Sequence, residues 1–410
     1  MKHSALIWKI CGSLVTGLLA ALFFLPGLLW ISGDRIVAAH PWLANRSLIG
    51  LALAPAPEPW SAGGWIGGGW QRTATAFFDQ NFPGREALMR GINELYFRAF
   101  RTSSWRSSIF VVGPHDAIFT TEYLNEYAVI RPPAAHTAAI AEALTDISRL
   151  CRKNGMPFVL VLSPTKPDIC PEWIPPAWLA RFRPETRACD TLRRLLDEAE
   201  VPYIDSREIL RKGVAAGHFQ APAFALGGIH WTKESALPVA NAIVESLRQQ
   251  GLPLGPMEVE ELGVSNTPLG SDMDVLALMN LASKWEYPTP VVRIRPHPDS
   301  SGKKPVVVFV GGSFVSIPAE LMSASRQFAS IPHLTYLRKV KAVFRDGVRK
   351  VERQASPVID YGSEFFSADA VVVELNDYYV VKGDFCLSLA EDLRAYFSNS
   401  RPGGPIVPNQ

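Results

Sequence analysis

The sequence predicts an α/β protein with a central, largely parallel sheet, and three observations carry that prediction. Val306 to Val310 is an unbroken apolar run ending in Gly311-Gly312-Ser313-Phe314. Such a run reads as a strand buried on both faces, hence an inner strand of a parallel sheet. A second run, Pro157 to Leu162, follows a helical pattern over Ala138 to Lys153. From there strand-like and helix-like segments alternate, as in a parallel sheet covered by helices on both faces.

The elements follow in order. Thr73 to Phe100 has a helical pattern with Phe77, Phe78, Leu88, Ile92, Leu95 and Phe97 as core candidates, broken at Asn81-Phe82-Pro83-Gly84-Arg85. Ser107 to Phe119 reads as two short strands around a turn. After the Pro157 strand come a helix over Thr191 to Glu200, a strand over Val201 to Ile204 and a helix start at Ser206. Leu237, Ala240, Val244 and Leu247 recur at the spacing of a buried helical stripe from Lys233 to Arg248. Leu334 to Leu337, Val358 to Ile359 and Ala370 to Leu375 are further strand candidates, and Leu387 to Phe397 closes the chain as an amphipathic helix.

Composition sets the class. The 410 residues are 48% hydrophobic and 20% charged, with 41 basic residues against 39 acidic ones. A net charge of +2 carries no polycationic signature of nucleic-acid binding. The five cysteines lack CxxC spacing, so no zinc or iron–sulfur site is expected, and no metal is assigned. In an exported chain Cys170 and Cys189 could form a disulfide, a pairing that spacing alone does not establish.

The first segment sets the expected compartment. Ile10 to Gly33 carries no charge and is preceded by Lys2 and Lys9. About 20 apolar residues span a bilayer as a helix, and lysines remain on the cytoplasmic side. The expected layout is a cytoplasmic tip and inner-membrane anchor over 1–35 and a Pro/Gly/Trp-rich tether over 36–70. A periplasmic domain over 71–398 and a flexible tail over 399–410 complete it. Trp60, Trp65 and Trp70 suit sugar stacking, the membrane interface, or cover for the first helix.

The chemistry centres on Ser313. A serine on a glycine turn at the carboxyl end of an inner strand is placed as a nucleophile with backbone N–H groups beside it. A helix-capping serine fits the same letters. His230 is the candidate base: it follows Gly227-Gly228-Ile229, precedes Trp231, and lies outside the apolar stripe of the next helix. His115 and His218 are its nearest rivals. The third member would be a carboxylate, for which Asp205 and Asp168, at or just beyond strand ends, are the candidates.

An ordered set of short motifs resembles a known family. These are Phe77-Phe78…Phe82-Pro83-Gly84-Arg85, Val111-Val112-Gly113…Ile118-Phe119, Ser163-Pro164-Thr165-Lys166, His230-Trp231, Leu269-Gly270-Ser271-Asp272, Gly311-Gly312-Ser313-Phe314 and Val372-Val373-Glu374-Leu375-Asn376. With the anchor, they are similar to the alginate O-acetyltransferase and cellulose-acetylation proteins of the SGNH hydrolase superfamily, over about residues 70 to 398. The resemblance implies an extracytoplasmic three-layer α/β/α domain that O-acetylates an exopolysaccharide. No cofactor is expected; the acetyl group would come from a multispanning membrane acyltransferase or a small acyl ester.

Carried over by position, Ser313 is the nucleophile and His230 the base. The family's Asp-x-His-Trp is here Gly228-Ile229-His230-Trp231, so the acid position is glycine. Loss of that acid leaves two expectations: a transferase with an incomplete triad, helped by water or Asp205, or a non-catalytic scaffold of a membrane acetylation complex. Gly312, Phe314 and Asn376 are oxyanion candidates, with capping as the alternative for Asn376. Trp231 fits packing behind His230 or a sugar platform. Lys166 fits an anion-orienting role or a solvated turn.

Overall fold

The computed structural model describes residues 48–50, 54–57, 59–81, 84–104, 109–183, 185–298, 302–354 and 359–399, with isolated positions between 13 and 31. The apolar segment expected to cross the membrane lies largely outside them. Among the described residues no helix is long and apolar enough to cross a membrane. The chain forms two compact units: residues 1–107 with 275–284, and residues 108–274 with 285–410.

In the first unit the helical pattern resolves into helices Ala62–Ile66, Gly69–Asn81 and Arg85–Phe100. The tether prediction thus gives way to helix from Ala62 onward. The expected break is present, with Gly84 in the left-handed region at φ 82°, where a glycine avoids the Cβ clash. Of the core candidates here, Phe97 is buried, whereas Leu88, Ile92 and Leu95 are exposed. Buried Asn93 donates to the Asn280 carbonyl at 3.3 Å, and Asn280 donates to Ile49 at 3.1 Å.

The second unit opens with the hairpin β1 (Phe110–Val112) and β2 (Ile118–Thr120). There follow β3 (Phe158–Ser163), β4 (Ile204–Asp205), β5 (Glu258–Ser265), β6 (Thr289–Arg295), β7 (Val307–Gly311), β8 (Ile331–Thr335), β9 (Val340–Arg345), β10 (Val348–Gln354) and β11 (Ala370–Asn376). Seven of these form one sheet in the order β10-β9-β8-β7-β11-β3-β4. The β8-β7-β11-β3-β4 pairings are parallel, while β9 and β10 extend the edge antiparallel, making the sheet mixed.

Strand alternation divides the core between two helical layers. Val307, Phe309, Val159, Val161 and Val372 face the layer containing the helices Lys233–Gln249 and Ser316–Ala324. Val308, Val310, Leu160, Leu162, Val371 and Val373 face the layer of Ala134–Lys153, Ala188–Glu198 and Asp384–Asn399. Both faces are covered, which is why these strands read as unbroken apolar runs. Val358 lies outside the described residues, and Ile359 precedes the short helix Tyr361–Glu364 without forming a strand. Cys151, Cys170, Cys189 and Cys386 are buried and free, so Cys170 and Cys189 form no disulfide.

Candidate active site

The inner strands β7, β11 and β3 end side by side, delivering Ser313, Asn376 and Ser163 to one edge of the sheet. His230 arrives from the loop before the helix Lys233–Gln249. Its Nε2 lies 2.7 Å from Ser313 Oγ, a hydrogen bond between base and nucleophile. Its Nδ1 lies 2.5 Å from Asp274 Oδ2. The same carboxylate accepts the Ile229 N–H at Oδ1, at 3.2 Å, so one acid fixes both the ring and its backbone. The His230 side chain is 12% exposed and that of Asp274 28%, leaving the pair shielded but open to a ligand.

Asp274, the first residue of the helix Asp274–Leu278, therefore takes the position opposite the imidazole. Asp205 and Asp168 do not. Asp205 caps the helix Ser206–Ala215 and pairs with Arg193 at 2.8 Å. Asp168 is buried against Arg187 at 2.5 Å, and Arg187 also holds Glu126 at 2.7 Å. Burial raises the Asp168 carboxyl, but the Arg187 guanidinium outweighs it and holds the group below the ordinary carboxylate range. His115 and His218 are exposed and make no hydrogen bond to Ser313.

The glycine at the expected acid position has a steric cause. A Cβ on Gly228 would lie 2.3 Å from the Ser271 carbonyl oxygen and 3.0 Å from that of Asp272. The backbone of 271–272 fills the space an aspartate side chain would enter, and two residues later the same segment presents Asp274. The carboxylate opposite the imidazole comes from another part of the chain. Tyr287 fastens this segment: its hydroxyl donates to the Asp272 carbonyl at 2.6 Å and accepts the Gly227 N–H at 3.2 Å. Burial pushes the Asp272 carboxyl up to about 6, with Lys233 opposing the shift.

Lys166 is neither solvated nor available to an anion. Its fully buried Nζ shares its three N–H donors among the four carbonyls of Ile118, Ala225, Leu226 and Gly228, at 2.9, 2.7, 2.9 and 3.0 Å. It ties the β2 hairpin to the loop carrying His230, and burial pulls its pKa down to about 7. Trp231 is a packing residue: it is fully buried and donates its indole N–H to the Phe314 carbonyl at 3.0 Å. The Phe314 ring lies 4.8 Å from the His230 ring, completing the wall behind the dyad.

The oxyanion candidates separate. The Gly312 N–H donates to Glu374 Oε2 at 2.7 Å and is therefore already engaged. Asn376 is buried, donates to the Ser163 and Pro164 carbonyls, and accepts the Tyr378 N–H, which makes it a cap. Phe314 remains. Tyr336, just beyond β8, was not singled out by the sequence; its hydroxyl lies against the Gly312–Ser313 turn and its ring centroid is 4.7 Å from that of Tyr379. No local motif marks it, because a sheet neighbour brings it to the serine.

Tyr336 also lines a cavity of about 510 Å³, with Tyr378, Tyr379, Lys339, Lys382, Glu122 and Asp384 among its walls. Lys339 lies 5.1 Å from the Tyr336 ring centroid and Lys382 4.9 Å from that of Tyr378.

A three-layer α/β unit with Ser, His and Asp in hydrogen-bonded series at the carboxyl edge of its sheet has the architecture of an SGNH-like domain. Residues 110–327 match the family described as SGNH hydrolase-like domain, acetyltransferase AlgX. The chain belongs to that acetyltransferase family. Among solved structures it is similar to the O-acetyltransferase domain of Pseudomonas putida AlgJ, at 16% identity over 70% of this chain and 99% of that one, with a TM-score of 0.43. Pseudomonas aeruginosa AlgX matches at 16% identity over 69% and 67% of the two chains, TM-score 0.43. Bacillus cereus PatB1 matches at 11% over 66% and 97%, TM-score 0.45. No curated protein matches the chain.

Proposed function

We propose that this protein transfers acetyl groups to polysaccharide hydroxyls through an acyl-enzyme on Ser313. The observation that carries the reading is the continuous Asp274–His230–Ser313 relay, with 2.5 and 2.7 Å contacts on the two imidazole nitrogens. His230 takes the Ser313 proton as Oγ attacks the donor's acyl carbon, and returns it to the departing donor group. In the second half-reaction His230 takes the proton of the acceptor hydroxyl, whose oxygen attacks the acyl carbon. Ser313 Oγ leaves and recovers a proton from His230. Asp274 holds the imidazole orientation and balances the imidazolium formed in each half.

The Phe314 N–H and the Tyr336 hydroxyl are assigned to the oxyanion. The aromatic cavity lined by Tyr336, whose walls carry both basic and acidic side chains, is assigned to the glycan acceptor. Lys2, Lys9 and the uncharged segment after them support an inner-membrane anchor with the domain in the periplasm. The acetyl group is then delivered by a multispanning membrane acyltransferase or a small acyl ester.

Acetyl release from an activated acetyl ester tests the reading. The full-length protein is expected to turn over the ester, and Ser313→Ala to reduce turnover by on the order of 10⁴-fold or more. Equal rates in the two proteins would remove Ser313 as the nucleophile.

A further inference from the structure

Glu374, near the end of β11, is a fully buried carboxylate that the acyl-transfer steps do not use. Its Oε2 accepts the Gly312 N–H at 2.7 Å, and Oε1 accepts the Ser163 hydroxyl. A Cβ on Gly311 would lie 2.8 Å from both Glu374 Cβ and Oε2, so the nucleophile turn is packed directly on this carboxylate. No lysine or arginine among the described residues pairs with it. The titratable groups that face it are His230, Asp377, Tyr123, Tyr336 and Cys386.

A buried carboxylate with two donors and no cationic partner is costly to keep, and its location implies a return on that cost. We infer that Glu374 is a positioning residue for Ser313, whose ionised carboxylate orients the Gly311–Gly312 peptide and hence the nucleophile turn. Oriented this way, the Gly312 N–H points into the sheet edge, leaving the succeeding part of the turn to face substrate. Protonation at Oε2 weakens acceptance of the Gly312 N–H; protonation at Oε1 reverses the bond with Ser163. The negative charge is also attractive to the imidazolium that His230 becomes during each half-reaction. Burial pushes the carboxyl up to about 7, opposed by the Ser163 and Gly312 hydrogen bonds. The group is therefore protonated on the acid side of that value, and the active form accumulates as pH rises through it.

The inference rests on Ser313 being the nucleophile, so its test reads serine reactivity independently of any acceptor. Full-length protein is treated with a sulfonyl fluoride across roughly pH 5 to 9, and Ser313 labelling is followed by peptide mass. On the acid side protonation of Glu374 should steepen the fall of the wild-type rate. Glu374→Gln should lower the rate at neutral pH by roughly tenfold to a hundredfold and leave a shallower acid-side slope. Ser163→Ala keeps the carboxylate but removes a donor to its ionised form, so the Glu374 ionisation should move to higher pH. A structural role alone moves neither slope nor midpoint. Superimposable slopes in wild type and Glu374→Gln, or an unmoved midpoint in Ser163→Ala, would overturn the assignment while leaving the acyl-enzyme reading intact. A wild-type Ser313 that resists labelling at every pH would overturn both.

Discussion

Replacing Asp274 by Asn is expected to lower kcat in the ester reaction by about 10⁴-fold with little change in KM. The amide keeps the size of the carboxylate and can still accept the Ile229 N–H, so the fold should survive. What it loses is the negative oxygen 2.5 Å from His230 Nδ1. That oxygen fixes the tautomer that leaves Nε2 free to receive the Ser313 proton, and it stabilises the imidazolium. Asp205→Asn serves as the contrast. Asp205 pairs with Arg193 and caps a helix, so its loss should be felt in stability and not in the pH-independent chemistry. Steady-state kinetics on the two variants, with thermal melts alongside, separates the roles. A larger kinetic loss in Asp205→Asn than in Asp274→Asn would reverse the assignment.

The second large effect runs against the direction that motif comparison suggests. Restoring the family's aspartate with Gly228→Asp should impair the protein. Its Cβ alone would meet the Ser271 carbonyl at 2.3 Å, so the 271–272 backbone has to move. That segment delivers Asp274, and displacements of about 1 Å in a catalytic group can cost 10²-fold in rate. The added carboxylate also brings a like charge beside Asp272, whose carboxyl is already pushed up by burial. The expected result is a loss of at least 10²-fold in kcat together with a lower melting temperature. A gain in activity without loss of stability would contradict the placement of the loop.

Gly228 also indicates what could be read from the chain. The inner strands were legible because β7, β3 and β11 are buried on both faces and each carries an unbroken apolar run. The hairpin β9–β10 was not recognised, although it carries its own signal. Asp346 and Gly347 lie at φ 51° and 79°, the positive pair that an Asp-Gly hairpin turn requires. The β5–β6 hairpin was missed because its exposed, charge-rich strands present no apolar run.

The site divides in the same way. Ser313 and His230 stand out locally, by a strand-end glycine turn and by a histidine outside a helical stripe. Asp274 comes from 44 residues beyond His230, and Tyr336 from a neighbouring strand end, so only the fold brings them in. The glycine at 228 signalled an absent acid. It could not indicate that two backbone carbonyls occupied the vacated space. With the acid found in Asp274, the main argument for a non-catalytic scaffold falls away.

The most direct measurement is to trap the intermediate. Full-length protein is mixed briefly with an activated acetyl ester, quenched in acid and digested, and the peptides are weighed. An acetyl group on the peptide carrying Ser313 is predicted, absent from Ser313→Ala and discharged when an oligosaccharide acceptor is added before the quench. Acetylation confined to other residues, or turnover of the ester with no acetyl on Ser313 at any time, would contradict the acyl-enzyme.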